Sequence, residues 1–135
     1  MIDHAMRVLY NDDYGTFNFS DAFMAEYVVQ TGKELIMFDP RFRCDPIVLK
    51  IFDQNGSEWS SGPNASLKVY EFPDMFEKYW EIDAYCGDET VRILYSDALA
   101  DILDTFMDGG DIDILYRQYA AIKEFQTKST LDASN

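Results

Sequence analysis

Basic residues are scarce in this chain. Eleven Lys and Arg stand against 25 Asp and Glu, a formal net charge of -14 over 135 residues. Holding nucleic acid by its phosphates requires Lys and Arg on the binding face, so direct nucleic-acid binding is excluded as a reading. Docking on anionic lipid is disfavoured on the same ground. Histidine is scarcer still, with His4 alone. The two cysteines, Cys44 and Cys86, lie far apart and in no metal-ligand spacing, so neither a zinc site nor any other metal or cofactor site is expected. Cys44 stands at a helix start, where a thiol pKa can fall, but a Cys-His nucleophile lacks its base. No run approaches the ~20 apolar residues of a membrane span, and no basic-then-apolar leader opens the chain. Glycine-rich phosphate loops and paired-glycine dinucleotide turns are missing too. The expectation is a soluble cytoplasmic protein with free thiols.

What is present points to a folded core. Phe, Tyr and Trp make up 16% of the chain and apolar residues 47%, which argues against disorder. Strands are expected at Arg7–Tyr10, Glu34–Phe38, Leu67–Phe72, Trp80–Tyr85 and Thr90–Tyr95, the last two forming a hairpin around Cys86-Gly87-Asp88. A first helix should start at a Ser20 cap, with Phe19 and Met24 as a hydrophobic staple, and stop at Gly32. Asp45-Pro46 opens a second, closed near Asn55-Gly56 and followed by a loop over Ser57–Ala65. Ser96 reads as the cap of a third, ended by Gly109-Gly110. Asp111 and Asp113 open a fourth that runs to Gln126. The sum is a single α+β domain over residues 1–126, with a mixed or antiparallel sheet of about four or five strands and helices mainly on one face. Residues 127–135 read as a flexible tail.

Four motifs in order resemble an uncharacterised family of small proteins from tailed phages and large DNA viruses. The family's Tyr-Gly-Gly-Phe-x-Leu-Ser corresponds to Tyr14-Gly15, Phe17 and Ser20, with Thr16 in place of the second Gly and Phe19 in place of Leu. Arg43, Asp45 and Pro46 match its Arg-x-Asp-Pro. Leu67-Lys68-Val69, Glu71 and Pro73-Asp74 match its Leu-Lys-Val-x-Glu-x-Pro-Asp strand. Trp80, Ile82, Tyr85, Gly87, Glu89 and Val91 match its Trp-x-Ile-x-x-Tyr-Asp-Gly-x-Glu-x-Val segment, with Cys86 where Asp is usual. The resemblance spans residues 7–93 and leaves a C-terminal helical part, 96–126, outside it. It implies a phage or viral origin, with the host cytoplasm as the place of action, and supplies no catalytic residue.

The strongest functional signal is the distribution of acid. Residues 74–113 hold 12 acids and two bases, Lys78 and Arg92, a net of -10. At about 100° per residue, Asp97, Asp101, Asp104 and Asp108 share one helix face opposite Leu99, Ile102, Leu103 and Phe106. The leading reading is a non-enzymatic binding protein. Its partner would be a basic host or viral protein, held by those four residues with Asp111 and Asp113 as extensions. Nucleic-acid mimicry or inhibition of a host factor fits this reading. The competing structural reading is a solvated helix face. A second hypothesis is a small-molecule or nucleotide-binding protein, its pocket lined by Tyr14, Phe17, Trp80, Tyr85 and Glu89. The third is a small hydrolase-type enzyme using Glu89 with Asp83 or Asp12. An enzyme is the less favoured class, because the recognisable parts of one are missing. Asn11-Asp12-Asp13 reads as a solvated turn. Oligomeric state is left open.

Overall fold

The computed structural model describes residues 5–133, and their side chains as far as residue 129. His4 and the last two residues lie outside them. Two compact units divide the chain, residues 1–92 and 93–135. The fold is α+β, and the described residues form four α-helices and two antiparallel sheets of two strands each.

In the first unit the apolar stretch near the N-terminus forms β1 (Ala5–Asn11), antiparallel to β2 (Leu67–Pro73) from Ala5 opposite Pro73 to Asn11 opposite Leu67. Val8 and Leu9 are consecutive and both fully buried, so β1 is covered on both faces. Between the two strands lies α1 (Asp21–Thr31). Ser20 Oγ accepts from the Phe23 amide at 3.0 Å, and Gly32 ends the helix at φ 73°, a conformation that favours glycine.

The second helix, α2 (Pro46–Ser60), is capped by Asp45, whose Oδ1 accepts from the Ile47 amide at 2.8 Å. It breaks at Gly56 (φ 84°), as the sequence implies, but Ser57–Ser60 then adds one more helical turn where a loop is expected. The serines explain the difference. Ser57 Oγ donates to the Leu67 carbonyl at 2.6 Å, and Ser61 Oγ accepts from the Leu67 amide at 2.9 Å, so hydroxyls tie this turn to β2.

A hairpin of β3 (Trp80–Tyr85) and β4 (Asp88–Ile93) completes the first unit. Its two-residue turn, Cys86 (φ 51°) and Gly87 (φ 86°), has the left-handed pair that tight hairpins require. β4 ends two residues before the expected Tyr95, because Tyr95 already belongs to the next helix. The strands therefore make two separate ladders and not one sheet of four or five. Glu34–Phe38, read as a strand, belongs to no ladder among the described residues. The main core gathers Leu9, Phe17, Phe19, Phe23, Phe42, Val48, Ile51 and Leu67. Phe19 stacks on Phe23 at 4.0 Å and meets Phe17 edge-on at 5.1 Å.

The second unit is a helical pair, α3 (Tyr95–Met107) and α4 (Ile112–Ala133), linked through Gly109 at φ 105°. Ile93, Ala98 and Ile122 are its buried apolar residues among those described, and the Tyr95 and Phe125 rings meet at 6.5 Å. Ser96 is not the cap. Tyr95 is already helical and Leu94, at the cap position, offers no side-chain acceptor. α4 continues past Gln126, so residues 127–133 are helical where a tail is expected.

Candidate functional site

Glu89 and Arg43 meet at the centre of the first unit. Arg43 lies in a short 3-10 helix, Pro40–Cys44, started by Asp39, whose carboxylate accepts from the Arg41 amide at 3.0 Å. Arg43 Nη1 donates to Glu89 Oε1 at 2.7 Å and Nη2 to Oε2 at 2.9 Å, a two-pronged pair in which the side chains are 11% and 9% exposed. Nη1 also donates to the Leu9 carbonyl at 3.2 Å. The guanidinium carbon sits 4.2 Å from the centre of the Phe17 ring and 5.3 Å from that of Phe42. Arg43 Nε is buried and has no hydrogen-bond partner among the described residues.

Asn11 extends this junction, and it corrects the reading of Asn11-Asp12-Asp13 as a solvated turn. Asp12 and Asp13 are exposed, but Asn11 is fully buried. Its amide N-H donates to Glu89 Oε1 at 2.8 Å. Its side-chain Nδ2 donates to the Gly87 and Asp13 carbonyls, at 2.8 and 3.0 Å, and Oδ1 accepts from the Ser66 amide at 2.9 Å. One side chain thus joins the end of β1, the hairpin turn and the approach to β2. The turn is brought in close: the Gly15 amide donates to the Cys86 carbonyl at 3.0 Å, and a methyl group on Gly87 would lie 1.3 Å from the Gly15 carbonyl oxygen. A methyl on Gly15 would lie 2.2 Å from the Asn64 carbonyl oxygen. Glycine is required at both places.

Above the pair opens a cleft of about 440 Å³ lined by Gly15, Phe17, Met37, Arg43, Gly87 and Glu89. Of the five residues read as one pocket, Phe17 and Glu89 meet here. Trp80 lines a different cleft of about 840 Å³ with Met6, Arg41 and Cys44, while Tyr14 and Tyr85 are exposed. Neither of these two clefts gathers the five. Both Glu89 oxygens are engaged by Arg43 and Asn11, Asp83 is exposed, and Asp12 pairs with Lys68. Chemically, the arrangement is a fastener between β1, the 3-10 helix and the hairpin. Burial pushes the Cys44 thiol up, against the helix-start effect considered from sequence, and both cysteines are free.

In the second unit, Asp97, Asp101, Asp104 and Asp108 are exposed along α3, as are Asp111 and Asp113. Asp111 Oδ1 accepts from the Asp113 amide at 2.7 Å and so starts α4. Asp97, Asp104 and Asp108 enter no ion pair among the described residues; the pairs Arg7–Asp53, Arg43–Glu89, Lys68–Asp12 and Arg92–Glu81 all belong to the first unit. Leu103 and Met107 are exposed on the same helix, off the acidic face. No described helix is long and apolar enough to cross a membrane.

Sequence reasoning selected Glu89 but missed Asn11 and gave Arg43 no role. The available signal was that Gly15, Phe17, Arg43, Gly87 and Glu89 come from three of the four recognised motifs. Comparisons with protein-family models, curated proteins and solved structures found no match.

Proposed function

We propose that this is a non-enzymatic binding protein that engages a basic protein partner through the acidic face of α3. The phage or large-virus setting, with a host-cytoplasm partner, is part of the same proposal and rests on the motif resemblance. The observation that carries the reading is the exposure of Asp97, Asp104 and Asp108 on one face without neutralising partners in the described chain. Like charges at four-residue spacing cost a helix a few tenths of a kcal/mol per pair, roughly 0.2–0.5. A cation-rich surface docking there relieves that repulsion and gains from long-range steering.

The test is capture from host lysate by the immobilised chain, compared with the variant carrying Asp97→Lys, Asp101→Lys, Asp104→Lys and Asp108→Lys. The expected result is a specific band lost in the variant and weakened by salt, while circular dichroism of the variant stays folded. Capture that persists unchanged in the folded variant at ordinary salt would sink the proposal and leave the stripe as solvated surface.

A further inference from the structure

The helical pair α3–α4 buries little and exposes a broad apolar side. Ile93, Ala98 and Ile122 are its buried apolar residues among those described, whereas Leu103 is 49%, Met107 74%, Ile112 51%, Tyr116 67% and Tyr119 48% exposed. Their placement follows from a turn of about 100° per residue. On α3 the line toward α4 runs through Ala98, Leu99, Ile102 and Phe106, and Leu103 and Met107 lie about 100° round from it. On α4 the line toward α3 runs through Leu115, Ile122 and Phe125, and Ile112, Tyr116 and Tyr119 lie about 100° round in the same sense. The helices are antiparallel, since Tyr95 at the start of α3 meets Phe125 late in α4. Equal turns in the same sense therefore bring both stripes to one side of the pair. Asp97, Asp101, Asp104 and Asp108 of α3, and Asp113 and Glu124 of α4, are turned away from that side. Lys123, its Nζ 5.9 Å from the centre of the Tyr119 ring, is the one charged residue on it among those described.

We infer that a second copy of this chain covers that side, the two helical pairs meeting face to face as a four-helix bundle about a two-fold axis. Charge selects a like copy. The side holds no acid, so a basic partner has nothing to pair with there, and two copies can meet without opposing acids although each carries -14. Composition agrees, because aromatic residues and Met with almost no charge make up the core of a homodimer interface. Area agrees as well. At ~200 Å² for a fully exposed large side chain, the five residues present roughly 600 Å² per copy, the upper end for a patch on a monomer. Two such sides bury about 1,200 Å², where specific interfaces begin. A layer of two helices with so small a core is marginal, and a second layer supplies what it lacks. The area lies at the lower limit, so the dissociation constant should be on the order of 1–100 µM. The acidic face of α3 stays outside this interface, so the dimer is independent of the basic partner proposed above.

The experiment is sedimentation velocity of the full chain over a concentration series, in about 0.15 M salt so that long-range repulsion is screened. A concentration-dependent dimer is expected, with a melting temperature that rises with protein concentration. Tyr116→Asp places a carboxylate inside the apolar side and should weaken the dimer about tenfold or more, while circular dichroism shows the helices intact. Met107→Asp, on the other helix, should act in the same way. Ile114→Asp makes the same kind of change at an exposed apolar position of α4 that lies off this side, and should leave the dimer as it is. A monomer at every concentration up to about 1 mM overturns the inference and leaves the side to another protein. A dimer that Tyr116→Asp and Met107→Asp leave unchanged, or that Ile114→Asp weakens equally, overturns it too.

Discussion

Removing Glu89 alone leaves Arg43 charged and buried between two phenylalanine rings, and removing Arg43 alone leaves Glu89 facing only the Asn11 amide. Breaking one side of a buried pair costs about 3–5 kcal/mol, whereas replacing both by apolar groups of similar volume is often close to neutral. Glu89→Leu and Arg43→Met should therefore each lower stability by about that amount, and the double variant should lose much less than their sum. Urea denaturation of the four proteins checks this. An additive double variant would mean that the pair fastens nothing. Asn11 belongs to the same network, since each of its three polar side-chain bonds would leave a backbone group unsatisfied if lost.

Among the elements, α3 is arranged against its own electrostatics. Asp97 in its first turn is favourable to the helix dipole, but Asp108 sits at its C-terminal end, and its last turn holds no basic residue. Reversing Asp104 and Asp108 to Lys should stabilise the second unit by roughly 0.5–1 kcal/mol, read as a higher melting temperature. If the acids serve a partner, the same change should cost partner capture. A rise in stability with capture retained would favour the solvated-face reading. A different tie holds β1 to α2: Arg7 donates to both Asp53 oxygens, at 2.8 and 2.6 Å.

Across the whole molecule, charge sets the response to acid. The Arg7 hydrogen bond holds the Asp53 carboxyl below the usual carboxylate range. A carboxyl whose folded pKa is lowered adds stability above its unfolded pKa of about 3.9, and that stability is lost as pH falls through the folded value. Asp53 is half exposed, so the effect should be small, about 0.2–1 kcal/mol. Asp53→Asn should be less stable than the parent at pH 7, with the gap closing as pH drops below 4. Denaturant curves at the two pH values measure it, and a gap that widens in acid would show the pair to be irrelevant.

The α+β class, the strands at 7–10, 67–72 and 80–85, the Ser20, Asp45 and Asp111 starts and the Gly32 stop were legible in the chain. Each depends on contacts within a few residues: a cap reaches two or three residues on, and a turn needs its own glycine. Glu89 was legible as a candidate through the motif resemblance, but its partners were not. Arg43 lies 46 residues away and the Asn11 amide 78, and nothing local distinguishes a buried Asn from one in a solvated turn. Glu34–Phe38 was misread for the same reason, since propensity and alternation describe a strand but a ladder needs a neighbour. Sequence determined most of the elements and the segregated acidic face, because period and charge are written along the chain. Tertiary structure decided the two separate sheets and the Arg43–Glu89–Asn11 junction, because burial and pairing depend on which distant segments share a surface.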